Sequence, residues 1–188
     1  MNKNFYNVIE QNPVIAAVKN KKGLEISVNS NIGIVFLLNT DILNLKKSVE
    51  KVKNKGKLVY LHIDLIKGLA RDKEALEYVK KNIDPDGIIS TKGYLIKEAK
   101  KLGMFAIQRF FIFDSMSLKK AKKRIESSKP DAIEILPGII PKVIKIISKR
   151  NRLPVIASGL IDKKEEIYQG LSAGATGIST TDNIMWKM

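Results

Sequence analysis

The only histidine of this 188-residue chain lies two residues before an aspartate, in the segment Leu61-His62-Ile63-Asp64. Side chains two residues apart on a β-strand point to the same side of the sheet. The spacing therefore predicts that His62 and Asp64 share one face of a strand. Such a pair can contact a ligand or act as an acid–base couple. The alternative is a buried structural histidine whose hydrogen bonds are made within the protein.

An arginine and a glutamate interrupt two further apolar segments, which the sequence predicts to be neighbouring strands. Arg109 follows Ala106-Ile107-Gln108, and Glu134 follows Ala132-Ile133. An unpaired buried charge is costly. Arg109 is therefore expected either to pair with Glu134 or to bind a ligand phosphate or carboxylate through two N–H groups. Both can hold, with Glu134 orienting the guanidinium.

Glycines and small hydroxyl residues stand at the ends of the last three apolar segments, as Gly138, Ser158-Gly159 and Ser179-Thr180. Hydroxyl donors and backbone N–H groups that a glycine leaves accessible are suited to a phosphate group. We predict that all of these residues contact a ligand and that those after strands seven and eight hold its phosphate, because parallel α/β barrels commonly bind phosphate there. Ordinary loop chemistry is the alternative.

These residues require strands that bring them to one place, and the chain has eight short runs rich in Ile, Val or Phe. Near-continuous apolar runs are typical of parallel strands that are buried on both faces. Apolar spacings of three and four between most of the runs indicate amphipathic helices, for example Ile42–Val52 and Ile140–Ile147. The predicted strands are Val14–Val18, Gly33–Leu38, Leu58–Asp64, Gly87–Ser90, Phe105–Phe110, Ala132–Leu136, Pro154–Ala157 and Gly177–Ser179.

Eight alternating units predict an α/β fold, a single (β/α)8 TIM-type barrel spanning residues 1–188. A Pro-Asp turn recurs 45 residues apart, at Pro85 and Pro130, which agrees with a repeat of two βα units. An open doubly wound sheet of about six strands is the alternative. The chain is shorter than the typical barrel of about 250 residues, so loops and helices must be short.

Three segments look irregular. Lys19–Asn31, with Gly23 in its middle, favours a loop over a helix. Only residues 181–188 follow the last strand, so the last helix must be truncated and the barrel thinly covered near strands eight and one. We expect self-association there, because exposed apolar surface usually marks interfaces. The segment Asp64–Asp72 is either a lid or the start of a helix capped by Asp72.

Composition narrows the location and the partners. No apolar run is long enough to span a membrane, residues 1–13 lack the apolar core of a signal peptide, and cysteine is absent. A cytoplasmic protein without a bound metal or cofactor is therefore expected, and no Walker, GxSxG or Cys/His metal motif is present. The net charge of +15 indicates an anionic partner or a lysine-rich codon bias.

The basic residues form clusters on the predicted outer helices, and one of these contains Lys119, Lys120, Lys123 and Arg124. A solvated helix face is the ordinary interpretation of such a cluster. No aromatic stripe accompanies the basic clusters, so an RNA contact there would depend on charge and on salt concentration.

Three sequence blocks are specific when taken together and in this order. They are Phe36-Leu37-Leu38 leading to Asn44-Leu45, His62-Ile63-Asp64-Leu65, and Glu134-Ile135-Leu136-Pro137-Gly138. With these blocks, nearly the whole chain resembles the glycerol uptake operon antiterminator regulatory protein family. Ser158-Gly159 stands where paired glycines are expected. The resemblance implies a (β/α)8 fold, a response to glycerol 3-phosphate, and binding to a leader mRNA that prevents transcription termination.

The preferred hypothesis is therefore a non-enzymatic, glycerol-3-phosphate-responsive antiterminator that regulates glycerol metabolism genes. Gly159, Ser179 and Thr180 would hold the phosphate with help from Arg109. His62, Asp64 or Glu134 would meet the glycerol hydroxyls, and Lys119, Lys120, Lys123 and Arg124 would bind RNA. The alternatives are a barrel enzyme acting on a small phosphorylated substrate, and a barrel that has kept its ligand pocket but lost RNA binding.

Overall fold

A computed structural model describes residues 3–150 and 152–187. Eight parallel strands close into a barrel in the order β1 to β8, and a helix follows each of the first seven strands. The predicted barrel is confirmed, and the open sheet is excluded because β8 pairs with β1. Within residues 3–150 and 152–187, no helix combines the length and apolar character needed to cross a membrane.

The strands are short, and each lies close to its predicted position. They are β1 Val14–Val18, β2 Ile34–Leu37, β3 Leu58–His62, β4 Gly87–Ser90, β5 Phe105–Phe111, β6 Ala132–Leu136, β7 Val155–Ser158 and β8 Gly177–Thr180. The helices are α1 Lys3–Gln11, α2 Lys21–Val28, α3 Ile42–Lys53, α4 Lys73–Tyr78, α5 Gly93–Lys101, α6 Ser115–Ser128, α7 Pro141–Ser148 and α8 Lys164–Ser172.

The end of β3 differs from the prediction. The strand stops at His62, and Asp64 lies in a 3-10 turn, Ile63–Leu65. The expectation that His62 and Asp64 share one strand face is therefore wrong. The chain leaves the strand here because the Asp64 carboxylate accepts hydrogen bonds from the end of β4.

The expectation of a loop at Lys19–Asn31 is also wrong, because α2 forms within it. Asn20 caps this helix by accepting a hydrogen bond from the Gly23 N–H at 2.8 Å, and Leu24 and Val28 are buried. The unfavourable helix propensity of glycine is offset by this cap and this burial. The competing interpretation of Asp72 as a helix cap is confirmed, since its carboxylate accepts from the Ala75 N–H at 2.9 Å.

The truncated last helix is confirmed as a single 3-10 turn, Met185–Lys187. Trp186 in this turn is 2 % exposed, and its Nε1 donates to the Thr180 carbonyl at 3.0 Å. One large side chain thus covers part of the surface near β8 and β1 that the short sequence was expected to leave open. Self-association at that place stays a prediction.

The N-terminal end of the barrel is closed by α1, which the sequence did not predict. Phe5 stacks on Phe105 with ring centroids 4.8 Å apart and meets Tyr60 edge-on at 5.7 Å. Gly33 permits this closure, because a Cβ atom there would lie 2.2 Å from the Val8 side chain. The barrel interior is therefore aromatic and apolar near the N-terminal ends of the strands. Only the opposite end, where the strands have their C-termini, can hold a polar site.

Candidate functional site

Polar side chains form the top layer of the barrel interior. They are His62, Arg109, Glu134, Ser158 and Ser179, and each is at most 7 % exposed. Strand alternation places them at the C-terminal ends of five strands, above the aromatic layer. This end of a (β/α)8 barrel is where functional residues are found, so five of the predicted site residues are brought together.

Arg109 and Glu134 form a two-pronged ion pair across neighbouring strands. The register of β5 and β6 places the two residues opposite each other. Arg109 Nε lies 2.7 Å from Glu134 Oε2, and Nη2 lies 3.0 Å from Oε1. The pair uses two of the five N–H donors of a guanidinium. The predicted ion pair is confirmed, and Arg109 also lines the cavity described below.

His62 ends β3 and is 2 % exposed. Burial, reinforced by the positive charge of Arg109, lowers the pKa of its imidazole to about 4, although the carboxylate of Asp64 acts in the opposite direction. The ring is therefore neutral at pH 7. Its Nδ1 atom has no hydrogen-bond partner within the described part of the protein, so the interpretation of His62 as an internally satisfied structural residue does not fit.

Asp64 is held by the end of β4. Its carboxylate accepts hydrogen bonds from Ser90 Oγ at 2.8 Å, from the Thr91 N–H at 2.7 Å and from Thr91 Oγ1 at 2.8 Å. Burial alone would raise the pKa of Asp64, but these hydrogen bonds and nearby His62 outweigh it and hold the pKa below its usual value. Asp64 thus ties the β3 loop to β4, and its geometry is that of a positioning residue.

A cavity of about 390 Å³ opens over the β7 and β8 ends of this layer. Arg109, Ser158, Gly159, Ser179 and Thr180 are among its lining residues. Ser158 and Ser179 are paired in the register of β7 and β8, and Ser179 Oγ has no partner among the described residues. The cavity therefore presents a buried hydroxyl and a guanidinium to any small polar molecule inside it.

Three predicted ligand-binding residues have distinct structural positions. Gly159 has a φ of +81°, which glycine adopts without steric cost. Thr180 Oγ1 donates to the Ile161 carbonyl at 2.6 Å, so its hydroxyl joins the β7 and β8 loops. Gly138 is buried against β7, where a Cβ would lie 2.6 Å from the Ser158 backbone nitrogen. Gly138 thus shapes the end of β7 and lies outside the cavity lining.

The lip of the cavity contains residues that the sequence analysis did not assign to the site. Lys19, Leu160, Asp162 and Asp182 also line it. Lys19 directly follows β1, so strand-end position pointed to it, but the two aspartates resembled ordinary loop residues. The lip therefore carries one lysine and two aspartates, and Arg109 is the positively charged residue that lines the buried part of the cavity.

The basic residues predicted to bind RNA all lie on α6. Lys119, Lys120, Lys123 and Arg124 are exposed, while Ala121 and Ile125 are buried against the barrel. Asp114 caps the helix by accepting from the Ser117 N–H, and Ser117 Oγ in turn accepts from the Asp114 N–H at 3.0 Å. The four cations therefore project to solvent from a firmly capped helix.

The described residues contain no group of three or more His, Asp or Glu side chains placed to hold a metal ion. The residues that line the cavity include the Arg109 guanidinium and the hydroxyls of Ser158 and Ser179, whereas Glu134 and His62 are buried and lie outside the lining. These lining groups can orient a small phosphorylated or hydroxylated molecule through hydrogen bonds.

Comparison with known proteins gives consistent results. The family described as "Glycerol-3-phosphate responsive antiterminator" matches residues 14–186. The solved structure of a glycerol uptake operon antiterminator regulatory protein from Listeria monocytogenes is 38 % identical, with a TM-score of 0.90 over 94 % of this chain and 95 % of that one. A glycerol uptake operon antiterminator-related protein from Thermotoga maritima is also 38 % identical, with a TM-score of 0.83 over 93 % and 98 % of the two chains.

An uncharacterised Escherichia coli protein, YgcP, is 38 % identical over 181 residues, which are 96 % of this chain and 95 % of that protein. The family match and these relatives extend over nearly the whole barrel, including the strand ends that form the mouth. The chain therefore belongs to the glycerol-3-phosphate responsive antiterminator family.

Proposed function

We propose that this protein is a cytoplasmic transcription antiterminator that binds glycerol 3-phosphate in the barrel mouth and leader mRNA on its outer surface, regulating genes of glycerol metabolism. The observation that supports the proposal best is the buried polar layer beneath an open cavity. Ser179 Oγ and His62 Nδ1 have no partner within the described residues. Buried polar atoms are rarely left without one, and a small ligand would supply it.

The phosphate is placed over Ser158, Gly159 and Ser179, close to Arg109. The ion pair with Glu134 leaves three guanidinium N–H donors for a phosphate oxygen, and Glu134 fixes their direction. Gly159 lets the backbone approach the ligand closely. Asp162 and Asp182 on the lip disfavour a second phosphate by like-charge repulsion, so the site suits a monophosphate.

The glycerol hydroxyls are placed toward His62 and Glu134. A neutral imidazole can accept a hydrogen bond at one nitrogen and donate at the other. The Glu134 oxygens, each bonded once to Arg109, retain acceptor capacity. Asp64 acts indirectly, by fixing the loop after β3.

RNA binding is placed on the exposed face of α6 that carries Lys119, Lys120, Lys123 and Arg124. The RNA backbone is anionic, so binding by lysine and arginine weakens as salt rises. The face also has a direct connection to the ligand site. Arg109 lies on β5, and only Ile112–Asp114 separate β5 from α6, so a ligand that holds Arg109 can bias the position of the basic helix.

The test is RNA retention with and without glycerol 3-phosphate. Replacing Lys119, Lys120, Lys123 and Arg124 by glutamine removes four phosphate contacts and should lower RNA affinity at least tenfold, and it should also reduce the salt dependence. The matched control replaces Lys21, Lys22, Lys46 and Lys47, four exposed lysines after β1 and β2 on the opposite side of the barrel. Equal losses in both quadruple variants would overturn the assignment of α6 and indicate attraction by net charge alone.

An enzyme acting on a small phosphorylated substrate is the second candidate. The observation that favours it is the neutral imidazole of His62, whose Nδ1 has no hydrogen-bond partner among the described residues. A buried imidazole with a free nitrogen can accept a proton from a substrate. Turnover of triose or glycerol phosphates that His62→Gln abolishes would establish this function. Binding without turnover supports the regulator.

A further inference from the structure

Exposed apolar side chains are concentrated around the barrel mouth. Of the eleven large apolar residues that are exposed in the described chain, nine lie at strand C-terminal ends, in the loops that follow, or in the first helical turn. The remaining two, Tyr78 and Tyr168, lie on helices. We define the mouth rim by its six most exposed members, which are Leu43, Phe111, Phe113, Met116, Leu160 and Ile184. Clustered exposed apolar residues mark interaction sites.

Leu160 is the most informative member of the rim. It lines the ligand cavity, yet its side chain is 70 % exposed. Its φ is +61°, a left-handed conformation that is uncommon for residues other than glycine, asparagine and aspartate. A leucine that is both conformationally strained and exposed is unfavourable in an isolated barrel, and such strain is usually retained for function.

The charge of the mouth differs sharply from that of the whole chain. The mouth segments are residues 19–23, 38–44, 63–74, 91–94, 111–117, 137–143, 159–166 and 181–184, and they contain ten Lys and Arg against nine Asp and Glu. The chain as a whole carries +15. Nearly all of the excess positive charge therefore lies outside the mouth.

Helix capping explains this separation. Asp41, Asp72 and Asp114 accept hydrogen bonds from the first turns of α3, α4 and α6, so aspartates gather at the mouth. Lysines gather at the opposite end, where Lys57 donates to the Ser27 carbonyl at 2.7 Å beside the end of α2. Negative charge is favourable at helix N-termini and positive charge at C-termini.

We propose that the mouth rim is the interface with a second copy of this chain, which meets it mouth to mouth and covers both ligand cavities. Two copies at +15 repel each other at any basic face, but the mouth segments, with ten basic and nine acidic residues, let them approach with little charge repulsion. A two-fold interface brings the same patch of each copy together, and apolar contacts need no charge complement. An anionic partner such as RNA would instead favour the basic sides. This inference requires neither the ligand nor the RNA assigned above.

The experiment is sedimentation equilibrium of the full chain over a range of about 1 to 300 μM, without ligand or RNA, since interfaces of standard size give micromolar or tighter affinity. We expect a concentration-dependent dimer. The double variant Phe113→Asp/Leu160→Asp should raise the dissociation constant at least tenfold. Aspartate tolerates the backbone conformation of Leu160, and circular dichroism verifies that the barrel still folds.

Tyr168→Asp is the matched control, because Tyr168 is 61 % exposed in the middle of α8 and lies outside the mouth segments. It should leave the dimer unchanged. Raising the salt concentration should strengthen the dimer by screening the repulsion between the basic sides, the opposite sign to RNA binding. A monomer at 300 μM, or a dimer that the rim variants leave intact, overturns the proposal. Loss of RNA affinity in the rim variants of a monomeric protein would assign the mouth to RNA instead.

Discussion

Replacing Arg109 by methionine and Glu134 by leucine, singly and together, separates the stabilising role of their ion pair from its role in binding. Each single variant leaves one charged group of the top layer without its partner. The double variant replaces both charges by apolar side chains of comparable length. The barrel should therefore tolerate the double change better than either single change. The ligand site loses its guanidinium in the Arg109→Met variant and in the double variant.

The burial of the Arg109–Glu134 pair determines how much unfolding free energy is lost when one partner is replaced. The side chains of Arg109 and Glu134 are 7 % and 0 % exposed, so water screens the remaining charge poorly after one partner is removed. Breaking a buried pair of this kind costs about 3 to 5 kcal/mol, and replacing both partners by apolar groups is often neutral or stabilising. Each single variant should lose about that amount, and the double variant should lie within about 1 kcal/mol of the original chain.

Urea unfolding followed by circular dichroism measures these differences at constant m-value. The surface pair Lys73–Glu77, with nitrogen and oxygen 3.4 Å apart and side chains 57 % and 36 % exposed, is the matched control. Its double-mutant cycle should give a coupling of only about 0.3 to 0.5 kcal/mol. Losses below about 1 kcal/mol in the single variants of Arg109 and Glu134 would show that the pair is solvated, because such values are typical of exposed ion pairs.

Three further predictions concern the residues around this pair. The imidazole of His62 has its pKa lowered to about 4 in the fold but near 6.5 when unfolded, so protonation favours unfolding as pH falls below 6.5. Stability should drop by about 2 kcal/mol from pH 7 to pH 5 on this account, and His62→Gln should flatten that part of the urea-midpoint profile; an unchanged profile would contradict it. Asp64→Asn should lower the unfolding free energy by about 2 kcal/mol, because an amide NH2 faces hydrogen-bond donors; chemical denaturation that finds no loss would exclude the positioning role. Gly138→Ala should lower the free energy of unfolding by about 1 to 3 kcal/mol, because the added methyl group overpacks against Ser158. The control Gly23→Ala within α2 should raise it by up to about 1 kcal/mol. Equal melting temperatures for these two variants would count against the close contact between Gly138 and β7.

The barrel could be predicted from the sequence because its strongest signal is local. Each strand is a short apolar run, and each of the eight predicted runs overlaps an observed strand. The predicted strand boundaries were wrong where a residue that is distant in the sequence determines the backbone conformation. Asp64 leaves the line of β3 because Ser90 and Thr91 bind its carboxylate, and no pattern near Asp64 reveals those two residues.

The errors in the helices have a similar cause. Helix α1 was not predicted because its polar sequence hides two anchors, Phe5 and Ile9, which are buried in the lower end of the barrel. Helix α2 was mistaken for a loop because glycine lowers helix propensity, although Asn20 caps it and Trp186 packs nearby. In both places tertiary burial outweighs the local preference.

The position of several candidate residues at one end of the barrel could be predicted, but their detailed geometry could not. Strand-end position identified Arg109, Ser158 and Ser179, which share one cavity. The separate positions of Gly138 and Asp64 depend on close backbone approach and on loop hydrogen bonds. The net charge of the whole chain does not reveal that the mouth is nearly neutral and the remaining surface basic, because it adds the charges of both regions.

The glycerol 3-phosphate site is tested most directly by a calorimetric titration of the full chain with glycerol 3-phosphate, with glycerol and inorganic phosphate as controls, repeated on the Arg109→Met/Glu134→Leu variant. We expect saturable binding to the original chain, tighter than that of either control, and a stabilisation of about 2.7 kcal/mol at a ligand concentration 100 times Kd. The variant should stay folded and lose the binding. Equal binding of phosphate and glycerol 3-phosphate, or undiminished binding by the variant, would contradict the assignment of the mouth as the glycerol 3-phosphate site.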